Sequence, residues 1–169
     1  MKQKTKVGTH WDWTCYDSKG KLKWVEDYDN LVVNEGLNDL LQKYFKGSSY
    51  TAAWKVALKA TGTVSAGDTQ ATHGFTEITA YSTAGGSTSA AIRPTALLAS
   101  ASSQSVVTST AAVFSVIASA CVAGGFLTTG TTVAGNLGVL YGAGDFTAIR
   151  TVISGDVINV NLTLTASAS

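Results

Sequence analysis

Histidine and cysteine are scarce in this sequence, which limits the chemistry that their side chains can support. The two histidines are His10 and His73, and the two cysteines are Cys15 and Cys121. Zinc sites need three or four such ligands, usually at short intervals, and no such interval occurs here. We therefore predict no metal site and no cofactor. We expect two buried thiols in strands, with a disulfide between them as the alternative.

Four carboxylates follow Lys59 in the chain, and three of them come directly after a glycine. Those three are Asp68, Asp145 and Asp156, and the fourth is Glu77. Aspartate after glycine is typical of turns, so we expect a turn at each of the three; a calcium loop would need more Asp and Asn ligands. A polysaccharide hydrolase or lyase would need two of the four to meet in space. The chain has no Gly-x-Ser-x-Gly elbow and no phosphate-binding loop, and we expect no enzymatic activity.

Charge is unevenly distributed along the 169 residues. Charged side chains make up 14% of the chain, the formal net charge is +1, and ten of the twelve Lys and Arg residues lie at or before Lys59. No charged side chain occurs between Arg93 and Asp145. So few basic groups would not hold a polyanion, and we expect neither nucleic acid nor a membrane as partner. We divide the chain into residues 1–50 and 51–169, which should form one compact unit.

The first region predicts a hairpin followed by a helix. Apolar and polar residues alternate on both sides of the turn Asp17-Ser18-Lys19-Gly20, which gives the hairpin one aromatic face. The helix should have Asn34 as its N-cap and end at Gly47. An apolar stripe along it should pack on the sheet that follows. Its members are Leu37, Leu40, Leu41, Tyr44 and Phe45.

The second region predicts strands throughout, separated by turns rich in glycine, serine and threonine. The predicted strands cover residues 54–59, 75–81, 106–117, 121–128, 138–141, 147–153 and 157–165. Residues 84–105 are predicted to form loops. The uncharged stretch 111–127 is interrupted by serine and glycine, which favours sheet over a membrane span. The expected fold is mainly β: an antiparallel β-sandwich or jelly-roll-like domain with an N-terminal hairpin and one short α-helix.

Segments from most of residues 24–165 resemble virion structural proteins of tailed bacteriophages. They are residues 31–38 (LVVNEGLN), 54–58 (WKVAL), 74–78 (GFTEI), Arg93-Pro94, 138–142 (GVLYG), Asp145-Phe146 and 154–160 (SGDVINV). These motifs are turns and strands rather than a site. Proteins of this group serve as head decoration proteins, head fibres or tail components. The resemblance therefore implies a virion component that is assembled in the host cytoplasm.

The outward face of the second region is predicted to be rich in Ser, Thr, Asn and Ala. Such a face lacks the charges that keep exposed sheet edges from pairing with other chains. With the resemblance, this leads us to expect a capsid decoration, or cement, protein on the capsid surface. Its partners would be the major capsid protein and copies of itself, in a homotrimer at local three-fold positions. The alternatives are a tail or fibre component that contacts the host surface, a polysaccharide-active enzyme, and an ordinary globular domain.

Two groups of residues are candidate interface anchors. Aromatic residues dominate interface hot spots, and N-terminal lysines would form a basic arm that docks on the capsid. The candidates are Trp11, Trp13, Trp24 and Trp54, together with Lys2, Lys4 and Lys6. The alternative role for the tryptophans is packing within the hairpin and the core.

Overall fold

The computed structural model describes residues 5–50, 54–82 and 91–168, and within them the chain forms strands and one helix. The strands are β1 (Thr5–Tyr16), β2 (Leu22–Asp29), β3 (Leu31–Val32), β4 (Lys55–Gly62), β5 (Phe75–Glu77), β6 (Tyr81–Ser82), β7 (Leu97–Leu98), β8 (Ser105–Thr110), β9 (Ala112–Val116), β10 (Ala120–Thr128), β11 (Leu140–Val152) and β12 (Val157–Ala168). The helix is α1 (Asn34–Tyr44). It is neither long nor apolar enough to cross a membrane, and the described residues contain no other helix.

The strands form two antiparallel sheets. The first sheet has the order β2-β1-β12-β8-β7, with β9 also paired to β12 and β6 paired to β9. The second sheet has the order β3-β11-β10-β4-β5. The prediction of a mainly β, antiparallel sandwich-like fold is confirmed.

The N-terminal hairpin forms as predicted. Strands β1 and β2 pair in antiparallel register, and Gly20 closes the turn between them with a φ of 77°. The Asp17 carboxylate accepts hydrogen bonds from the backbone N–H groups of Lys19 (2.8 Å) and Lys21 (2.9 Å). These bonds fix the turn and hence the register of the two strands.

Strands β1 and β12 pair along their whole length, from Thr5 opposite Ala168 to Tyr16 opposite Val157. The predicted alternation in β12 is present, because Ile158 and Leu162 are buried and Asn161 between them is exposed. The first sheet therefore contains strands from both regions of the sequence.

Several predicted strands have different bounds in the structure. Residues 75–81 contribute to two sheets, because β5 pairs with β4 whereas β6 pairs with β9. Residues 106–117 form two strands, β8 and β9, which both pair with β12. Residues 138–141 and 147–153 were predicted as separate strands, but β11 is continuous. The predicted turn at Asp145 is therefore wrong, whereas Asp68 and Asp156 do close turns, with Ser65 and Ile153 respectively.

The second sheet is buried on both faces over part of its area. The main core lies between the sheets and contains residues such as Trp13, Leu58 and Ile158. A smaller cluster, which includes Phe126, lies on the other face of the second sheet. Lys59 in β4 is consequently almost completely buried.

The predicted N-cap of α1 is wrong. The cap position is Val33, which makes no side-chain capping bond, and Asn34 is the first residue of the helix. The Glu35 carboxylate, in the first turn, does not cap the helix either, because it accepts hydrogen bonds from backbone N–H groups outside the helix. Gly47, the predicted end signal, has a φ of 70° and lies just beyond the C-cap residue Phe45.

Candidate interaction surface

Helix α1 approaches β11 through a glycine. A Cβ atom on Gly36 would lie only 2.4 Å from the backbone oxygen of Tyr141, so no other residue fits this contact without displacement. Glu35 strengthens the attachment, because its Oε2 accepts hydrogen bonds from the backbone N–H groups of Gln70 (2.8 Å) and Leu140 (2.6 Å). The first turn of the helix is therefore held firmly against the second sheet.

Most of the apolar stripe of α1 faces solvent. The exposed fractions are 42% for Leu40, 54% for Leu41, 78% for Tyr44 and 77% for Phe45. The prediction that this stripe packs on the sheet is wrong for these four residues. Gly36 makes the contact instead, and it lies about 100° around the helix from the middle of the stripe. The helix is thus turned so that its larger apolar side chains point away from the core.

Two grooves flank the exposed stripe. A cleft of about 390 Å³ separates the helix from the end of the sandwich. It is lined by Gly36, Asp39, Leu40, Lys43, Tyr44, Tyr50, Trp54, Leu98, Val106, Tyr141 and Leu164. A wider groove of about 670 Å³ on the other side includes Leu41, Phe45 and Val139 with polar neighbours. Apolar surface therefore continues from the cleft around the helix.

The tryptophans lie mainly inside the protein. Trp11 and Trp13 are fully buried and stack with their ring centroids 5.5 Å apart. Phe146 packs edge-to-face with Trp13 and Trp24, with ring centroids 5.1 Å and 5.6 Å apart. Trp54 is also buried, and its Nε1 donates a hydrogen bond to the Tyr50 hydroxyl at 2.9 Å. These contacts favour the packing role that was the alternative to the anchor role.

The proposed basic arm lies largely beyond the described part of the chain. Lys2 and Lys4 fall outside the described residues, whereas Lys6 is exposed at the start of β1. The exposed rings of Tyr44, Phe45 and Tyr50 are better placed than the tryptophans to contact another molecule.

The structure gives the four carboxylates after Lys59 partners that hold the fold together. Glu77 pairs with Arg93, and both side chains are buried. Asp145 pairs with the buried ammonium group of Lys59. Asp156 pairs with Lys23, and Asp68 accepts a hydrogen bond from the backbone N–H of Ser65 at 2.9 Å. In the part of the chain that the structure describes, no three His, Cys, Asp or Glu residues are grouped as a metal site requires.

Burial of these groups leaves the part of the chain beyond Lys59 with almost no surface charge. Six charged side chains follow Lys59 in the sequence. Four are almost completely buried: Asp68, Glu77, Arg93 and Asp156. Asp145 is 47% exposed and Arg150 is 36% exposed. Over the described residues beyond Lys59, the remaining surface is formed by uncharged side chains and backbone.

The two cysteines differ in environment, and both are free thiols. Cys15 is buried, as predicted, and burial raises the pKa of its thiol to about 11. Cys121 is exposed near the start of β10, so the prediction of burial is wrong for it. The prediction that Cys121 lies in a strand was correct, but only one face of that part of β10 is covered.

The sequence matches no protein-family model and no curated protein. The inferences about its function therefore rest on the surfaces described above and on the segments that resemble phage virion proteins.

Sequence reasoning did not find the cleft beside α1. Tyr50, Leu98 and Val106 come from separate segments and meet only because the sandwich ends next to the helix. One local signal was present, since Gly36 adjoins the apolar stripe and small residues permit close backbone contact. It could have indicated that the helix touches the sheet through its first turn rather than through the stripe.

Proposed function

We propose that this chain is a decoration, or cement, protein of a tailed-bacteriophage head. It binds the assembled capsid lattice and holds neighbouring capsomers together. The observation that carries this proposal is the nearly uncharged surface of the chain beyond Lys59, where four of six charged side chains are buried. The segments that resemble phage virion proteins supply the biological setting.

An uncharged β-rich surface is suited to being covered by protein. Surface charges keep soluble proteins apart and protect sheet edges from pairing. On the outer face of the first sheet, Val107 is exposed on β8, and the Thr108 hydroxyl donates a hydrogen bond to Asn161 on β12 at 3.2 Å. Valine, threonine and asparagine there offer apolar area and hydrogen-bonding groups and carry no charge themselves; the charged neighbour is Asp12, which lies opposite Asn161 on β1. Binding through β8, on the side of β12 away from Asp12, avoids the high cost of burying an unpaired charge.

The proposed mechanism is selective binding. A protein that binds the assembled lattice but not free capsid subunits stabilises the lattice by mass action. At a free concentration one hundred times the Kd, this amounts to about 2.7 kcal/mol for each occupied site. The partners are the major capsid protein and further copies of this chain, on the capsid surface, after assembly in the host cytoplasm.

The first test is the copy number of this chain in purified virions, measured by quantitative mass spectrometry against the major capsid protein. A decoration protein spread over the lattice should approach the copy number of the capsid protein. A few copies per particle would contradict the proposal and favour the tail or fibre alternative.

A second test asks whether the uncharged face makes the contact. Val113→Lys and Val107→Lys place new charges on exposed positions of β9 and β8. We expect at least a tenfold loss of affinity for heads that lack this chain, measured by co-sedimentation. Val25→Lys is the matched control, because Val25 is exposed on β2, where charged neighbours already occur. Equal binding by all three variants would show that another face attaches to the head.

A further inference from the structure

Residues 129–139, between β10 and β11, form a compact loop whose two ends are held together. The backbone N–H of Thr129 donates a hydrogen bond to the carbonyl oxygen of Val139 at 3.0 Å. In return, the N–H of Val139 donates to the Thr129 hydroxyl at 2.9 Å. A short loop with its ends in contact is an Ω-loop, a type that often carries function. We call this segment the Ω-loop.

Three buried side chains from other segments of the chain bond to the backbone of the Ω-loop. They are Gln70, Glu77 and Arg93. Their partners in the loop are, in the same order, the Gly135 carbonyl at 2.7 Å, the Ala134 N–H at 2.6 Å and the Gly130 carbonyl at 2.8 Å. A buried polar group that loses its partner cannot bond to water instead, which makes its loss costly. These bonds therefore fix the Ω-loop in one conformation.

The backbone of Ala134 is held in a conformation that it would not adopt by itself. Its φ is 54°, in the left-handed region that residues other than glycine rarely enter. The bond from its N–H to Glu77 helps to hold it there. Strain of this kind persists only where the surrounding structure maintains it, and it is concentrated in binding and switch segments. The fold thus maintains one particular shape of the Ω-loop at a cost in stability.

The Ω-loop presents one apolar side chain to solvent. Leu137 is 81% exposed, more than any other large apolar side chain in the part of the chain that the structure describes. Val133, in contrast, packs against the main core. The loop contains no charged residue. A preorganised, uncharged loop loses little conformational freedom and desolvates no charge on binding, so it is suited to placing Leu137 in an apolar pocket of another protein.

The size of the Ω-loop indicates the kind of partner that it fits. A standard interface buries about 800 Å² on each side, and a loop with one exposed leucine offers only part of that area. A partner must therefore contact a second surface of this chain as well. The uncharged face that includes Val107 is such a surface, and it is separate, because it belongs to the first sheet whereas the Ω-loop joins two strands of the second.

We propose that the Ω-loop is a second capsid contact, in which Leu137 enters an apolar pocket of a neighbouring capsid subunit. This inference rests on the proposed function, because a protein that holds neighbouring capsomers together has to contact both. The outer face of the first sheet binds one capsomer, and the Ω-loop binds the next. Leu137 supplies apolar area, and the buried bonds of Glu77 and Arg93 keep it in position.

The test is the affinity of the purified chain for heads that lack it, measured by co-sedimentation. Burying a leucine side chain strengthens binding roughly tenfold or more, so Leu137→Ser should weaken binding at least tenfold. Leu137→Met keeps an apolar side chain and should bind within about twofold of the unmodified chain. Val25→Ser, at an exposed position on β2, is the matched control and should bind like the unmodified chain. All three should keep the thermal stability of the unmodified chain, because both side chains are exposed in it.

Two results separate this contact from the proposed function. If the unmodified chain binds heads and Leu137→Ser binds equally well, the Ω-loop contact is overturned while the proposed function stands. If the unmodified chain does not bind heads, both proposals fail.

Hydroxyl-radical footprinting tests the same contact without a substitution. Oxidation of Leu137 should fall several-fold when the chain is bound to heads, because the side chain is then covered. Oxidation of Val25 should not change. Equal oxidation of Leu137 in the free and the bound chain would overturn the proposal.

Discussion

Arg93 and Glu77 form a two-point ion pair inside the protein, with Nε to Oε1 at 2.9 Å and Nη2 to Oε2 at 2.7 Å. Their side chains are 1% and 3% exposed. Arg93 also donates a hydrogen bond from Nη1 to the backbone oxygen of Gly130 at 2.8 Å, and its guanidinium group lies over the Phe126 ring. One side chain therefore links the segment before β7 to β5 and to the loop after β10.

Replacement of this arginine should destabilise the fold strongly. Arg93→Met leaves the Glu77 carboxylate buried without its cation, and we expect a loss of about 3–5 kcal/mol in the free energy of unfolding, measured in urea. Lys55→Met is the control, because Lys55 makes an exposed hydrogen bond to Thr95, and it should cost less than about 0.5 kcal/mol. The double variant Arg93→Met with Glu77→Gln should recover part of the loss. A loss for Arg93→Met no larger than that of the control would contradict this role.

The stability of the hairpin should depend on the protonation of His10. A hydrogen bond to Asp29 raises the pKa of His10; burial opposes this rise, and the charges of Asp12, Asp29 and Asp27 add to it. Because the folded pKa lies above the unfolded value of about 6.5, the stabilisation is complete below that pH. It is lost as the pH rises through the folded pKa. The effect should be modest, since the contact is largely exposed.

Two measurements check this prediction. The NMR titration of the imidazole should give a pKa above that of a histidine in an unfolded peptide. His10→Gln should destabilise the protein more at a pH of about 5 than at about 8. Equal losses at the two pH values would show that the ion pair does not contribute.

The two thiols should react with a thiol reagent at very different rates. Cys121 is exposed, whereas Cys15 is buried and has a raised pKa, so little of it is thiolate at neutral pH. With a chromogenic disulfide reagent, the folded chain should release one equivalent, and the chain unfolded in urea should release two. Cys121→Ser should release none until it is unfolded. Rapid reaction of this variant while it is folded would show that β1 opens readily.

Local patterns predicted those parts of the fold whose structure depends on near neighbours. The hairpin turn depends on Asp17 and Gly20, and the alternation in β12 reports directly which side chains are buried. The burial of Lys59 was not predictable in this way, because it depends on the residues from other segments that pack on the outer face of the second sheet. The continuity of β11 was hidden by Gly142 and Gly144, which resemble a turn in sequence but lie in the strand.

The candidate surface was predictable only in part. The low charge of the second region is evident from composition, but the burial of Arg93 and Asp156 depends on partners distant in sequence. The stripe of α1 was identified correctly as apolar. Its exposure was not, because periodicity shows that a helix has an apolar side and does not show what covers it.

The pairing of β1 with β12 also constrains how the protein is made. Strand β1 leaves the ribosome early, yet the strand that covers its other edge comes more than a hundred residues later, as Tyr16 opposite Val157 shows. The centre of the first sheet cannot close until β12 has been synthesised. Contacts between such distant segments slow folding. The aromatic face of the hairpin packs against Gly125 of β10 and Phe146 of β11, so it also stays uncovered until these later strands have been synthesised. Chaperones that bind exposed apolar segments should recognise the nascent chain there.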